Sequence, residues 1–315
     1  MNRFIYIVSI LFIVISCAND TIETSEKNQI VFRASVETRG TEVTNDNFDR
    51  FYVTALAPEF VEQGAYLKTY FEDVEFTRAG NGNFYSNPPY YYPSTLPVYF
   101  FLYYPSEEEM GVDFCWDEYK WDWDKENGYW EHDRYLYRFS PNTQISKQCD
   151  FVFTTVGEGV SGTNGEPQNI EFKHMMSQIQ VSSKSASSSY QYIVAGVKLG
   201  NISNVANLHI SSEWDIFEDE KTDYIDIYDT PVVLSEMYES IMNPNGGNAF
   251  LLPQLLRNDA YVAAYIQVRD LNGDKVFPEG DKEYDWVSTS ISGQWYSSEK
   301  YDYKLDFTNW FESQQ

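Results

Sequence analysis

The segment from residue 115 to residue 137 contains the side chains best suited to chemistry. It places four tryptophans among many carboxylates: Trp116, Trp121, Trp123 and Trp130. Aromatic faces bordered by acids suit sugar binding, through ring stacking and hydrogen bonds to hydroxyl groups. The same oxygens suit a calcium ion, but Gly128 is one place late for an EF-hand loop. The third interpretation is structural, a long twisted hairpin whose tryptophans pack on the fold.

Recognisable catalytic motifs are absent from the sequence. Its three histidines, His132, His174 and His209, are far apart and have no metal-ligand spacing. We expect His174 to be a packed or hydrogen-bonded residue. No nucleophile elbow, phosphate loop or dinucleotide fingerprint occurs, and nothing selects a carboxylate pair for glycoside hydrolysis. We therefore expect a non-enzymatic protein without metal or cofactor, with an envelope hydrolase as the weakest alternative.

The N-terminus has the pattern of an export signal. The apolar run 4–15 follows Arg3 and ends just before Cys17. It is shorter than the ~20 residues that a membrane-spanning helix needs, and its positive start and small residues are typical of a signal peptide. Residues 14–17, VISC, are similar to the bacterial lipobox, which implies removal of residues 1–16 and a lipid on Cys17. The alternative is an ordinary signal peptide whose cysteine is incidental.

The other two cysteines, Cys115 and Cys149, leave a disulfide open. Two thiols in an oxidising envelope can pair, but the sequence does not give the Cα separation that a disulfide requires.

The chain is strongly acidic, with a formal net charge of −26 at pH 7. Such a surface repels nucleic acid phosphates and anionic lipid headgroups. We therefore exclude nucleic acid binding and electrostatic membrane binding as functions. The same charge keeps an exported protein in solution.

Period-2 alternation predicts an all-β fold. In the stretch IVFRASVE, Ile30, Phe32, Ala34 and Val36 alternate with more polar residues, as in a half-buried strand. Similar stretches recur along the chain, and an aromatic fraction of 17% suits pleated sheets. Between two of these stretches, the Asn-Gly pair 272–273 predicts a hairpin turn.

Helical signals are few. Only residues 229–242 predict a short helix, with Asp229 or Thr230 as its cap and Pro231 in its first turn.

A glycine-rich stretch predicts a boundary near the middle of the chain. The resulting organisation has five parts: a lipoprotein signal peptide (1–16), a polar tether (17–29), an N-terminal β-sandwich domain (30–160), a linker (161–169) and a C-terminal β-sandwich domain (170–315).

Seven stretches occur in a recognisable order along the chain: the lipobox at Cys17, ETRG (37–40), YYYPSTLPVYFFLYYP (90–105), CDFVFTT (149–155), IEFKHMMSQIQVSS (170–183), NAFLLPQ (248–254) and GQWYSSEKYDYKLDF (293–307). Taken in this order, they resemble the fimbrillin family of exported subunits from anaerobic Gram-negative bacteria.

This resemblance implies two transthyretin-like β-sandwich domains in tandem and a surface lipoprotein of the outer membrane. It implies fimbriae assembled by β-strand exchange, with other fimbrial subunits as partners and a host or glycan ligand. It also implies a protease cut between Arg39 and Gly40, which removes a first strand containing Ile30, Phe32, Ala34 and Val36. The alternative is an uncleaved first strand that ends at an ordinary turn.

The sequence departs from a stalk subunit at its C-terminus. Only TNWFESQQ (308–315) follows the last predicted strand, where a stalk subunit would be expected to carry a longer donor segment. Tip, anchor and accessory roles are therefore open. The second functional class is a carbohydrate-binding surface lipoprotein that uses the Trp-rich segment 115–137.

Overall fold

The computed structural model describes residues 28–37, 43–61, 64–110, 122–124, 129–131, 137–163, 165–209, 212–242 and 247–314. Within these ranges the chain is all-β, which confirms the predicted class. Its helical elements include the four-residue helix α1 (Glu107–Met110) and the 3₁₀ turns Ile145–Lys147 and Glu312–Gln314.

The strands follow one another along the whole described chain. In order they are β1 (Phe32–Val36), β2 (Arg50–Val61), β3 (Gly64–Arg78), β4 (Phe84–Ser86), β5 (Val98–Tyr104), β6 (Asp122–Asp124), β7 (Tyr129–Glu131), β8 (Tyr137–Phe139), β9 (Val152–Val160), β10 (Gln168–His174), β11 (Ser177–Lys184), β12 (Tyr190–Ser203), β13 (Ala206–Leu208), β14 (Trp214–Ile216), β15 (Lys221–Val233), β16 (Glu239–Ser240), β17 (Ala249–Leu251), β18 (Leu255–Leu256), β19 (Tyr261–Asp270), β20 (Lys275–Phe277), β21 (Asp285–Ser290), β22 (Gly293–Gln294) and β23 (Lys300–Asp306).

The first half of the chain forms a closed barrel. Its strand order is β1-β10-β9-β5-β2-β3-β4, and the pairing of Phe84 on β4 with Phe32 on β1 closes the ring. The interior is packed with aromatic and aliphatic side chains, including Phe32, Phe51, Phe76, Phe84, Phe100, Leu102 and Phe172. The sheet of this half closes on itself as a seven-stranded barrel, so the predicted tandem of transthyretin-like sandwiches stays a prediction.

The second half has two facing sheets. One contains β16, β11 and β17 with β23 beside β11, and the other contains β15, β12, β19 and β20 with β21 beside β19. Aliphatic side chains from both sheets meet in one core, among them Ile179, Val181, Val194, Val197, Val262 and Ile266. Trp295 closes part of this core and is 1% exposed.

A third core joins the barrel to the second half. Phe101, Tyr103, Phe151 and Phe153 lie on the outer side of barrel strands or beside them, and they pack with Met175, Met176, Leu208, Phe250 and Leu252. This contact explains the continuous apolar run of β5, which is buried on both of its faces. The strand β8 also crosses between the halves, since it pairs with β13 in a small sheet with β14.

The chain returns to the barrel after the glycine-rich stretch. β10, which follows this stretch, pairs with β1 and with β9. The change from the barrel to the second pair of sheets therefore falls after His174, and the first strand of the predicted C-terminal domain is a barrel strand.

The helix predicted over residues 229–242 is wrong. β15 runs to Val233, and its last residues Val232 and Val233 pair with Val194 and Ile193 of β12. Pairing of β-branched residues with a central strand outweighs the weak helical signal of the local sequence.

The hairpin predicted at Asn272-Gly273 is confirmed. β19 and β20 are antiparallel, and Gly273 has a φ of 86°. The Asp270 carboxylate accepts hydrogen bonds from the backbone N–H groups of Asn272 and Asp274, so an Asx turn fixes the loop.

Among the described residues, no helix has both the length and the apolar character required to cross a membrane.

Candidate functional site

The candidate site is the first strand, β1, together with the barrel residues that contact it. The alternation that predicts a strand is matched by burial, because Ile30 and Phe32 are 0% exposed and Val36 is 2% exposed. Ala34 is half-buried, whereas Arg33 and Ser35 between these residues are exposed. Phe32, Ala34 and Val36 therefore lie on the inner face of β1, and Ile30, two residues before the strand, is buried as well.

Phe32 holds the strand to the barrel core. Its ring packs edge-to-face on the rings of Phe51, Phe76 and Phe100, with centroid distances of 5.8, 5.1 and 5.2 Å. Aromatic pairs in this geometry contribute about 0.5–1.5 kcal/mol each beyond the area they bury. Phe32 is thus the main apolar anchor of β1.

Main-chain hydrogen bonds hold β1 at both ends. The strand runs parallel to β10, from Phe32 opposite Gln168 to Val36 opposite Phe172. The Ile30 N–H donates to the Tyr90 carbonyl (2.8 Å) at one end, and the Glu37 N–H donates to the Phe172 carbonyl (2.9 Å) at the other. Because β1 lies between β10 and β4, its removal would expose main-chain groups on two strands.

An asparagine side chain clamps the C-terminal end of β1. The Asn45 carbonyl oxygen accepts from the Val36 N–H (2.9 Å), and its amide donates to the Val36 carbonyl (3.2 Å). This reciprocal pair copies the two bonds that a neighbouring strand would make. Asn45 therefore replaces a strand partner at the point where β1 leaves the sheet.

A buried His–Asp pair lies next to this clamp. His174 Nδ1 is 2.9 Å from Asp150 Oδ2, and Nε2 is 3.0 Å from the carbonyl oxygen of Glu37. The side chains of His174 and Asp150 are 0% and 1% exposed. Burial lowers the pKa of His174, but the Asp150 carboxylate and the Glu37 carbonyl outweigh it, so the pKa is raised overall. The prediction of a hydrogen-bonded, packed His174 is confirmed.

The predicted processing and lipid sites lie outside the described residues. Arg39 and Gly40 fall between the described residues Glu37 and Val43, and Cys17 precedes the described chain. Cleavage and lipid attachment stay predictions.

The predicted disulfide also stays a prediction. Cys115 is outside the described residues, and Cys149 is half-buried at the start of the segment that leads into β9.

The Trp-rich segment is described only in part. Trp123 on β6 and Trp130 on β7 are opposite each other in an antiparallel pair, so the predicted hairpin pairing is present. Trp116 and Trp121 are outside the described residues.

No metal centre is formed within the described ranges, where no group of three or more His, Cys, Asp or Glu residues is placed to hold an ion. His132 is outside these ranges, and His209 lies in the turn after β13.

Sequence reasoning missed Asn45 and Asp150. Neither has a motif or spacing that connects it with β1. Asn45 is 9 positions from Val36. Asp150 acts on the end of β1 through His174, which is 137 positions from Glu37. The only sequence signal was the position of Asp150 inside the stretch CDFVFTT, which was used for the family resemblance.

Comparison with known proteins gives one family match. A family model described as fimbrillin-like matches residues 33–314. No curated protein sequence matches the chain.

The comparison with solved structures gives matches from Bacteroides species. A candidate cell adhesion protein from Bacteroides uniformis has 13% identity and a TM-score of 0.48, over 89% of this chain and 94% of that chain. A second candidate cell adhesion protein, from Bacteroides ovatus, has 15% identity and a TM-score of 0.45, over 90% and 94%. A fimbrial protein from Bacteroides ovatus has 11% identity and a TM-score of 0.32, over 90% and 51%. Such distant likeness does not carry function from one protein to another.

Proposed function

Since the chain belongs to the fimbrillin-like family, with a match over residues 33–314, we propose that it is a non-enzymatic subunit of surface fimbriae that serves adhesion. It joins other subunits by exchange of the first strand, in a structural, tip or accessory position. The observation that carries this proposal is the packing of β1, a short strand whose inner face contributes to the core of a closed barrel.

The physics of exchange follows from this packing. Loss of β1 leaves main-chain groups of β10 and β4 without partners and empties the space around Phe51, Phe76 and Phe100. A strand from another subunit with apolar residues at alternate positions restores both the hydrogen bonds and the packing. The vacated barrel is therefore a binding site for an extended segment.

Maturation makes that site available in the proposed scheme. A lipid on Cys17 delivers the subunit to the outer membrane, and a protease cuts between Arg39 and Gly40. The cut separates Ile30, Phe32, Ala34 and Val36 from the rest of the chain. Without the cut, Cys17 stays a permanent anchor. The family resemblance also supports a tandem transthyretin-like topology, in which the barrel and the second half are the two domains.

The test is the mature N-terminus of the protein from its native cell envelope, measured by mass spectrometry. We expect a chain that begins at Gly40, together with SDS-resistant ladders on unheated gels. An Arg39→Ala variant is expected to keep acylated Cys17 and to give no ladder. Acylated Cys17 on all wild-type chains, with no ladder, would reject the cleaved-subunit proposal.

A second candidate function is sugar binding by the Trp-rich hairpin. The register pairing of Trp123 with Trp130 in the antiparallel pair of β6 and β7 supports it. The predicted sugar contacts also include Trp116 and Trp121, which lie outside the described residues. A glycan array tests this proposal: we expect binding that is lost in the Trp123→Ala/Trp130→Ala variant. Equal signals from the variant and the wild type would reject it.

A further inference from the structure

The His174 ring makes two contacts that one neutral ring cannot satisfy. Nδ1 faces the carboxylate oxygen Oδ2 of Asp150, and Nε2 faces the carbonyl oxygen of Glu37. Both partners are acceptors. A neutral imidazole has one N–H and can donate to only one of them, whereas an imidazolium has two. The observed geometry is therefore that of an imidazolium, which donates from both ring nitrogens.

The contacts of this pair join four parts of the barrel. His174 ends β10, Asp150 precedes β9, and the Glu37 carbonyl follows the last residue of β1. Asp150 Oδ2 also accepts from the backbone N–H of Val43 at 3.4 Å. The pair thus holds the chain on both sides of residues 38–42, the stretch that contains the predicted cut.

We propose that His174 and Asp150 form a proton-dependent latch, which holds the C-terminal end of β1 in the barrel while the pair is protonated and releases it when the proton leaves. The biological role of the latch rests on the proposed function, since release of β1 is the step that opens the site for another subunit. The protonation equilibrium itself is a property of the intact chain and does not require cleavage.

The charged groups around the ring favour this proton. The Asp150 carboxylate acts from the segment before β9, and the Glu37 carboxylate acts from the end of β1. Asp150 also borders a cavity of about 230 Å³ that is lined by Val43, Asn47, Tyr104 and Cys149. Its other oxygen, Oδ1, is buried without a hydrogen-bond partner among the described residues. Loss of the ring proton would remove one of the two hydrogen bonds that the His174 ring donates.

The direction of the pH dependence follows from linkage. The pKa of His174 is raised in the folded barrel, whereas a released, solvated histidine titrates near its ordinary value of about 6.5. The latch is therefore fully present below about pH 6.5 and is lost as pH rises through the folded pKa. Within that window the equilibrium constant for opening of β1 increases by up to about tenfold per pH unit, because one proton is released on opening.

Hydrogen exchange on the intact chain tests the latch. We compare protection of residues 30–37 between pH 5 and pH 9, corrected for intrinsic exchange, in the wild type, His174→Gln and the control His209→Gln. We expect protection to fall by up to about tenfold per pH unit above about pH 6.5 in the wild type and the control, and to be pH-independent in His174→Gln. Residues 300–306 of β23 serve as the internal reference, with no pH dependence. A flat profile in the wild type would overturn the latch, as would an unchanged slope in His174→Gln.

Nitrogen NMR of the wild-type ring keeps the test independent of whether His174→Gln folds. We expect both ring nitrogens to be protonated at pH 6 and one to lose its proton as the pH is raised. A ring with a single protonated nitrogen from pH 5 to pH 9 would overturn the latch. Neither measurement requires cleavage or fibres, so a protein that never polymerises can still show the latch, and a polymerising protein can still lack it.

Discussion

The first and last strands of the described chain, β1 and β23, each pair in parallel with one internal strand, but they differ in how deeply they are buried. β10 and β11 follow each other along the chain, and each receives one terminal strand in parallel. β1 pairs with β10 over five residues, and β23 pairs with β11 over seven, from Lys300 opposite Gln178 to Asp306 opposite Lys184. The two halves of the molecule thus each include a strand contributed by one end of the sequence.

The difference lies on the far side of each strand. β1 has a second neighbour, β4, and closes the barrel, so its inner residues are almost completely buried. In the described part of the chain, β23 pairs with β11 alone. Its inner residues Tyr301, Tyr303 and Leu305 are only half-buried, and lysine and aspartate alternate on its exposed face. Alternating charge is typical of an edge strand that avoids further pairing.

This comparison shows why the shorter strand is the better candidate for exchange. Removing β23 would leave β11 as the new edge of an open sheet, whereas removing β1 would open a closed barrel and expose an aromatic core. The driving force for refilling a site comes from the apolar area and the main-chain groups left exposed. A strand that can be replaced with high affinity is therefore expected at β1.

The largest effect is expected from Phe32→Ala. We expect a loss of about 3–5 kcal/mol in the free energy of unfolding, because the substitution empties a space between three rings. Leu305→Ala on β23 is the matched variant, with an expected loss of about 1–2 kcal/mol, since Leu305 is half-buried. Both are measured by urea unfolding. Equal losses would break the contrast between the two strands.

Asn45→Ala tests the clamp at the end of β1. We expect a loss of about 1–2 kcal/mol, because the substitution removes two hydrogen bonds to the Val36 main chain. Asn83→Ala is the control, since Asn83 contacts the exposed Arg33 side chain of the same strand and is expected to change stability by less than about 0.5 kcal/mol. Urea midpoints compare the two variants. A larger loss from Asn83→Ala would mean that the clamp is not what fixes β1.

Tyr303→Phe tests how β23 is attached. The Tyr303 hydroxyl accepts from Trp295 Nε1 at 2.9 Å, and Trp295 is buried in the core of the second half. We expect a loss of about 1 kcal/mol, with no change in hydrogen exchange of β1. Thermal unfolding and exchange of residues 30–37 give the two readouts. Faster exchange of β1 in this variant would show that the two strands are not independent.

The smallest effect is expected at the surface of β23. Lys184 and Asp306 form an ion pair of 3.1 Å with side-chain exposures of 27% and 44%. Exposed pairs contribute little to stability because water and salt screen them, so Lys184→Met should lower the urea midpoint less than the other variants, and the change should disappear in 1 M salt. A loss of stability that persists in high salt would assign Lys184 a packing role, for example on the Tyr238 ring, whose centroid lies 4.9 Å from the Lys184 ammonium nitrogen.

Local patterns predicted β1 itself but not its neighbours. The alternation of Ile30, Phe32 and Val36 is enough to identify a half-buried strand, because side chains alternate faces with period 2. Its parallel partner β10 is more than 130 residues away, and closure of the barrel through β4 depends on that pairing. Long-range strand order of this kind leaves no periodic signal in a single sequence.

Long-range contacts also explain why the partners of His174 were not predicted and why the predicted helix was wrong. His174 was expected to be hydrogen-bonded, but its partners Asp150 and Glu37 come together only when three strands assemble. Residues 229–242 were misread because Val232 and Val233 were weighed as part of a short helix, whereas pairing with β12 decides their conformation. In both cases tertiary contacts supply the information that the local sequence lacks.

The most direct test of exchangeable β1 is strand replacement measured by native mass spectrometry. The chain is cut between residues 37 and 43 by a trypsin-like protease and mixed with an isotope-labelled peptide of residues 28–37. We expect the cut chain to lose its own first strand and bind one labelled peptide, while the uncut Arg39→Ala chain and a Phe32→Asp peptide give no complex. If the cut chain binds no peptide after losing β1, or binds the Phe32→Asp peptide equally well, the first strand is not an exchangeable element of this barrel.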